Sequence, residues 1–192
     1  MNENEVLDAF RKAGALLEGH FVYASGRHGR QFLQAARVLQ YPDIAERLCA
    51  AVAQRFKDAR IDLVVGPATG GIILAYETAR HLGCRAAFTE KENGGMALKR
   101  GFRLEAGERV LIVEDIATTG GSVKKSIAHL RDRGADIAGV SVLIDRSAGE
   151  ATFDCPYEPL ARIDMQSWDP SACDLCNAGK PVIDPDDIVL EA

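Results

Sequence analysis

The chain has 192 residues, of which 47% are hydrophobic and 27% charged. That is ordinary globular usage, and domains commonly run to about 100–200 residues, so residues 1–192 are expected to form a single domain; disorder, collagen-like repeats and coiled coils are excluded. With 23 basic and 28 acidic residues the formal net charge is −5, which argues against general affinity for nucleic acid or anionic lipid, so any anion must be held locally.

The first nineteen residues carry Glu3 and Glu5 ahead of any basic residue and no long apolar core, so no signal peptide is expected. The longest nearly apolar run, 137–144, is interrupted by Gly139 and Ser141 and falls far short of the roughly 20 residues of a spanning helix. A cytoplasmic location with no membrane partner is the expectation. Val6, Phe10, Ala13 and Leu17 then recur at helical spacing and predict an amphipathic helix over 5–17. After a loop region, Asp43 and Glu46 have capping-box spacing ahead of a second helix, whose one face would carry Ile44, Leu48, Val52 and Phe56. The rest alternates: strand 61–65, helix 72–82 closed by Gly83, strand 86–89, strand 110–113, helix 122–133 closed by Gly134, strand 137–144.

Short, continuously apolar strands separated by helices indicate a mainly parallel sheet buried on both faces, hence an α/β fold. Ligands of such sheets bind beyond the carboxyl ends of the strands. Three segments there are unusual: 66–71 (GPATGG), 114–122 (EDIATTGGS) and Asp145-Arg146. In the second, Gly120 and Gly121 permit close backbone approach, and the amides opening the following helix suit a phosphate group. Thr118, Thr119 and Ser122 add hydroxyl donors, while Glu114 and Asp115 at the strand tip suit a sugar diol or a divalent cation. Phosphate at one end and diol at the other describes a sugar phosphate. The spacing Gly66 to Gly71 fits a Walker A loop, but Ile72-Ile73 follows where a lysine is required, and no Gly-x-Gly-x-x-Gly occurs. Arg146 offers a guanidinium fork for a planar carboxylate, the alternative being a surface arginine paired with Asp145.

The stretch 110–122, VLIVEDIATTGGS, resembles the phosphoribosyl-diphosphate-binding motif of the type I phosphoribosyltransferases. Segments 25–34 (SGRHGRQFLQ), 64–83, 88–102 and 142–146 (VLIDR) extend the resemblance, in that order, to the orotate branch of that family. The resemblance implies the type I fold, a central mainly parallel sheet flanked by helices with a small hood built from N- and C-terminal segments. It implies that Glu114 and Asp115 hold the ribose hydroxyls, and that Ile116, Ala117, Thr118, Thr119, Gly120, Gly121 and Ser122 belong to the phosphoribosyl diphosphate site. Thr118 and Arg146 would contact orotate, Phe32 and Leu33 would pack on the base, and Pro67 to Gly71 would line the diphosphate. It further implies Mg2+, a homodimer, and transfer of the phosphoribosyl group to orotate without a covalent nucleophile. Lys91, with Asp115, is the candidate for the catalytic machinery, since the loop 90–96 keeps one lysine where longer members have several and a histidine. Lys99, Arg100 and Arg103 lie near and could substitute, or form an exposed basic face. Ala24 stands where the family often has lysine. A different base is therefore an alternative, and so is a non-catalytic sensor of phosphoribosyl diphosphate, against which the acidic charge and the lack of a DNA-binding helix pair speak.

Five cysteines, an odd number, in a chain that folds without staples speak against a disulfide framework. Cys173 and Cys176 have zinc-ligand spacing and Cys155 is a possible third ligand, but none of His20, His28, His81 and His129 is near them in sequence. Reduced thiols or an oxidisable pair, with no protein-ligated metal, is the expectation. Arg27, His28 and Arg30 add charge to a loop that the family places near the active site; His81 and His129 are expected to be structural, and Trp168 to pack a late loop on the sheet.

Overall fold

The computed structural model describes residues 1–23 and 25–184; the Ala24 departure lies outside the described residues. Helix α1 (Glu3–Lys12) starts in a capping box between Asn2 and Glu5 and buries Val6 and Phe10. It ends earlier than the periodicity suggests, because Gly14 takes φ 60° and Ala15 N–H returns to Phe10 O at 2.8 Å. A left-handed glycine closes a helix in this way. Leu17 instead lies in strand β1 (Leu16–Val22), which pairs antiparallel with β2 (His28–Leu33). Thus the segment expected to be loop is a hairpin. Short α2 (Ala36–Leu39) leads to α3 (Pro42–Arg55), where Tyr41 is the N-cap and makes no side-chain cap bond. The capping box expected at Asp43 and Glu46 does not form; Pro42, with fixed φ and no amide hydrogen, takes the first helical position.

The remaining order is β3 (Leu63–Pro67), α4 (Gly70–Leu82), β4 (Arg85–Glu92), β5 (Gly95–Leu98), β6 (Arg109–Ala117), α5 (Gly121–Asp132), β7 (Asp136–Asp145), β8 (Ala161–Arg162), β9 (Ser167–Trp168) and α6 (Asp174–Asn177). Six strands form one sheet in the order β5-β4-β3-β6-β7-β8, parallel except for β5. The expected type of fold is therefore present. Side chains alternate across it: Val64, Leu111 and Val113 join one core with α1, α3 and α4, while Leu63, Val65, Val110 and Ile112 join a second core with α5. Both faces are covered, which is why the strands read as unbroken apolar runs.

The hood is a second sheet, β1-β2-β9. Its third strand comes from the C-terminal part, with Trp168 opposite His28, so Trp168 belongs to the hood and not to a loop packed on the main sheet. Phe10, Leu16 and Leu33 share the first core with Leu48, Leu143 and Leu160, and the hood residues Val22, Phe32 and Leu33 line one cleft with Thr118 and Arg146, just beyond the carboxyl ends of β6 and β7.

Candidate active site

The turn between β6 and α5 is built for close approach. Gly120 caps α5 at φ 70°, ψ 14°, and a methyl on it would lie 2.8 Å from the Phe153 ring, so no other residue fits there without strain. No side chain caps α5; its first-turn amides point at whatever enters the turn, with the positive end of the helix dipole behind them. Beside them lies a cleft of about 650 Å³ lined by Glu114, Ile116, Thr118, Thr119, Gly120, Gly121, Ser122 and, from the far side, the hairpin 91–96. Lys125 also lines it. No motif marks Lys125, since one helix lysine looks like any solvated one.

Burial, and next the Asp115 carboxylate, push the Glu114 carboxyl up to about 8. Burial raises Asp115 as well, opposed by the Ile116 amide, which donates to Asp115 Oδ1 at 2.6 Å. Two adjacent, partly desolvated carboxylates call for hydroxyl donors or a cation. Asp115, unlike Glu114, is not among the residues lining this cleft: a methyl on Gly70 would sit 2.2 Å from Asp115 Oδ2, so this carboxylate faces the backbone of 67–71. In that segment a methyl on Gly66 would be 2.0 Å from Gly71 O, a tight backbone packing that only glycine permits. Ala117 is buried beneath the turn, and its carbonyl accepts from Arg146 N–H at 2.9 Å.

The segment 90–96, expected to be a loop, is the end of β4 and the start of β5, with Asn93 (φ 47°) and Gly94 (φ 77°) at the turn. Lys99 lies 2.7 Å from Glu92, and Arg100 is 2.8 Å from Glu90, a pairing that lowers the Glu90 carboxyl. Both cations are thus engaged within the hairpin. Lys91 lines the cleft and, among the described residues, forms no ion pair.

A second cleft of about 690 Å³ is lined by Tyr23, Phe32, Leu33, Gln34, Thr118, Arg146, Met165 and Ser167. Thr118 lines both clefts. Arg146 Nε donates to Thr118 Oγ1 at 3.3 Å, and Arg146 Nη1 approaches Met165 Sδ at 3.8 Å. Asp145 is not its partner: that carboxylate accepts from Ser147 N–H at 2.8 Å and lies 3.8 Å from Arg162. Arg146 therefore presents a guanidinium held by a hydroxyl and a thioether, beside the apolar pair Phe32 and Leu33. Tyr23 and Met165 were not indicated by any motif. Tyr23 donates to Gln31 O at 2.5 Å; burial raises its phenol and the nearby Arg146 guanidinium opposes the rise.

Of Arg27, His28 and Arg30, only Arg27 lies in the connection between β1 and β2, and it reaches Ser167, which lines this cleft. His28 and Arg30 lie in β2, Arg27 donates to Ser167 Oγ at 2.9 Å, and Arg30 pairs with Asp174. They bind the C-terminal segment to the hood. His129 accepts from Leu98 N–H at 3.0 Å and His81 lies 3.4 Å from Glu77; neither lines either cleft.

A glycine turn at a helix start, an acidic pair beside it and an arginine cleft joined through Thr118 have the chemistry that suits a phosphorylated sugar and a planar acidic partner, the substrates of a glycosyl-transfer class of enzyme. Residues 34–169 match the family model described as phosphoribosyl transferase domain. The chain is 44% identical over 185 residues to an orotate phosphoribosyltransferase of Caldicellulosiruptor bescii, and 47% identical over 189 residues to one of Acidithiobacillus ferrooxidans; each match covers 96% of this chain and 97% of the relative. The crystal structure of orotate phosphoribosyltransferase from Aeropyrum pernix is similar with a TM-score of 0.69 and 30% identity, over 82% of this chain and 93% of that one. The chain belongs to the orotate phosphoribosyltransferase family of transferases.

Proposed function

We propose that the two clefts together bind 5-phosphoribosyl 1-diphosphate and orotate, and that the protein transfers the phosphoribosyl group between them, giving orotidine 5′-phosphate and diphosphate for pyrimidine nucleotide synthesis. The observation that carries this reading is Arg146. Its fork is not paired with Asp145, it opens into a cleft whose lining joins the apolar Phe32, Leu33 and Met165 to the polar Gln34, Ser167 and Asp184, and it is joined by Thr118 to the phosphate cradle. A guanidinium in that setting is matched by a planar carboxylate.

The amides of residues 121–123, with the hydroxyls of Thr118, Thr119 and Ser122, hold the 5-phosphate. Glu114 and Asp115 accept from the ribose hydroxyls, which offsets their desolvation. The C1–oxygen bond to diphosphate breaks while the bond from C1 to a ring nitrogen of orotate forms, that nitrogen gives up its proton to the departing diphosphate or to water, and the ribosyl centre gains positive charge in passing. The Glu114–Asp115 pair lies near that charge, Lys91 stands across the cleft for the departing diphosphate, and Arg146 fixes the base so that its nitrogen faces C1. Positioning and electrostatics suffice, with no covalent nucleophile. The donor set fits Mg2+, since partly buried carboxylates favour a hard cation; bound with the diphosphate, Mg2+ would neutralise the leaving charge.

The exposed Ile73 and Tyr76 of α4 support a homodimer, and the whole of residues 1–192 is taken as one catalytic domain. Among the described residues no helix is long and apolar enough to cross a membrane; a cytoplasmic setting fits this chemistry. Offering orotate, uracil, adenine and hypoxanthine side by side with phosphoribosyl diphosphate tests the base. Turnover of orotate alone is expected, and consumption of another base in its place would overturn the assignment.

A further inference from the structure

The hood contains a cluster with no part in the transfer reaction. His20 on β1, His28 on β2, and Cys173 and Cys176 at the start of α6 bring one ligand atom each to within 4.8 Å of one another. His20 Nε2 lies 3.1 Å from His28 Nδ1, 3.4 Å from Cys173 Sγ and 3.7 Å from Cys176 Sγ, and His28 Nδ1 lies 3.2 Å from Cys176 Sγ. A tetrahedral zinc ion with bonds of about 2.05 Å to nitrogen and 2.3 Å to sulfur requires ligand separations of about 3.3 Å for N···N, about 3.6 Å for N···S and about 3.8 Å for S···S. Each of the four separations falls within a few tenths of an ångström of these values.

The hydrogen bonding behind the ligands points the same way. His20 Nδ1 is 2.9 Å from Lys180 O. A carbonyl only accepts, so Nδ1 carries the hydrogen and Nε2 presents its lone pair to the cluster, the arrangement that orients metal-bound histidines. Without a metal, either His28 Nδ1 carries its hydrogen and competes with the thiols for the one lone pair of His20 Nε2, or it is bare, accepts from Cys176, and two nitrogen lone pairs face each other at 3.1 Å. Half of the cluster is fully buried, Cys173 at 0% and His20 at 3% exposed, while Cys176 is half-buried.

We propose that His20, His28, Cys173 and Cys176 form a structural zinc site that clamps the C-terminal segment onto the hood. Two nitrogens and two sulfurs in a closed tetrahedral set suit zinc. All four positions come from protein, so the ion holds structure and performs no catalysis. It would tie β1 and β2 to a segment about 150 positions further along, and that segment includes Ile183, whose amide donates to His20 O at 2.8 Å. Binding requires the two thiols to release protons and both imidazoles to stay neutral.

The test uses full-length, untagged protein purified without chelator. Elemental analysis is expected to find about one zinc per chain. Independently, wild-type protein stripped of metal under reducing conditions is titrated with cobalt(II), with thiolate-to-cobalt charge transfer and tetrahedral d–d bands saturating at one equivalent. The Cys173→Ser and His28→Ala variants should lose the metal and melt at lower temperature, while Cys155→Ser should retain both metal and melting point. Three results would overturn the proposal: reduced wild type that takes up neither zinc nor cobalt, cobalt bound without thiolate absorbance, or Cys155→Ser losing metal as Cys173→Ser does. The wild-type cobalt titration stands even if the ligand variants fail to fold, and none of these readouts depends on turnover.

Discussion

Replacing Glu114 by glutamine should make stability less dependent on pH. In the folded protein burial and Asp115 raise this carboxyl from 4.5 to about 8. The folded state therefore keeps a proton that the unfolded chain gives up. With the folded value above the unfolded one, stability is fully present below about pH 4.5 and is lost as pH rises through about 8. A rise of about 3.5 units at 1.36 kcal/mol each sets a ceiling of roughly 5 kcal/mol. Because Glu114 is only partly buried, water relaxes part of that penalty, and roughly 2 kcal/mol is the expected effect. Glutamine keeps a carbonyl oxygen for the Asp115 amide, which donates to Glu114 Oε1 at 3.1 Å. Urea unfolding of wild type and Glu114→Gln at pH 5 and pH 9 measures the difference: the variant should gain about 2 kcal/mol relative to wild type between the two, at the cost of substrate affinity. An equal stability difference at both pH values would refute the reasoning.

Other expectations follow from contacts. Gly29→Ala places a methyl 2.0 Å from the Tyr23 hydroxyl oxygen; displacement of Tyr23 should raise KM for orotate several-fold while leaving KM for phosphoribosyl diphosphate nearly unchanged in steady-state assays. Gly120→Ala meets Phe153 at 2.8 Å from a backbone at φ 70°, so it should lose about 1–3 kcal/mol of stability by denaturant titration and most phosphoribosyl diphosphate binding by calorimetry. Lys91→Ala should lower kcat by roughly 10- to 100-fold, whereas Lys99→Ala and Arg100→Ala, which remove exposed ion pairs, should change kcat less than about two-fold.

The central strands and the cradle were legible because their physics is local. β3, β6 and β7 are buried on both faces, so an apolar run suffices to find them, and the glycines of 120–121 announce a backbone that must come close to a ligand. The hood was not legible. β1 carries a register irregularity between Glu18 and Phe21 that breaks its alternation, and β9 is two residues long. The hairpin 90–98 looked like a charged loop, although Asn93-Gly94, both at positive φ, is a known signal for a tight hairpin turn. Tyr23 and Met165 reach the arginine cleft only through the hood, and so no motif could mark them. The same holds for His20 and His28, whose distance from Cys173 and Cys176 along the chain concealed their proximity in space.

The central claim is that Arg146 and the acidic pair serve one reaction on orotate. The most direct measurement mixes the protein with orotate, phosphoribosyl diphosphate and Mg2+, follows the loss of orotate absorbance, and repeats this with Arg146→Ala and Asp115→Asn. The account predicts turnover by the wild type, a fall in kcat/KM for orotate of roughly 10- to 100-fold in Arg146→Ala from the lost charged hydrogen bonds, and a comparable fall in Asp115→Asn. Absence of orotate turnover in a folded wild type that binds phosphoribosyl diphosphate, or full activity in Arg146→Ala, would contradict it.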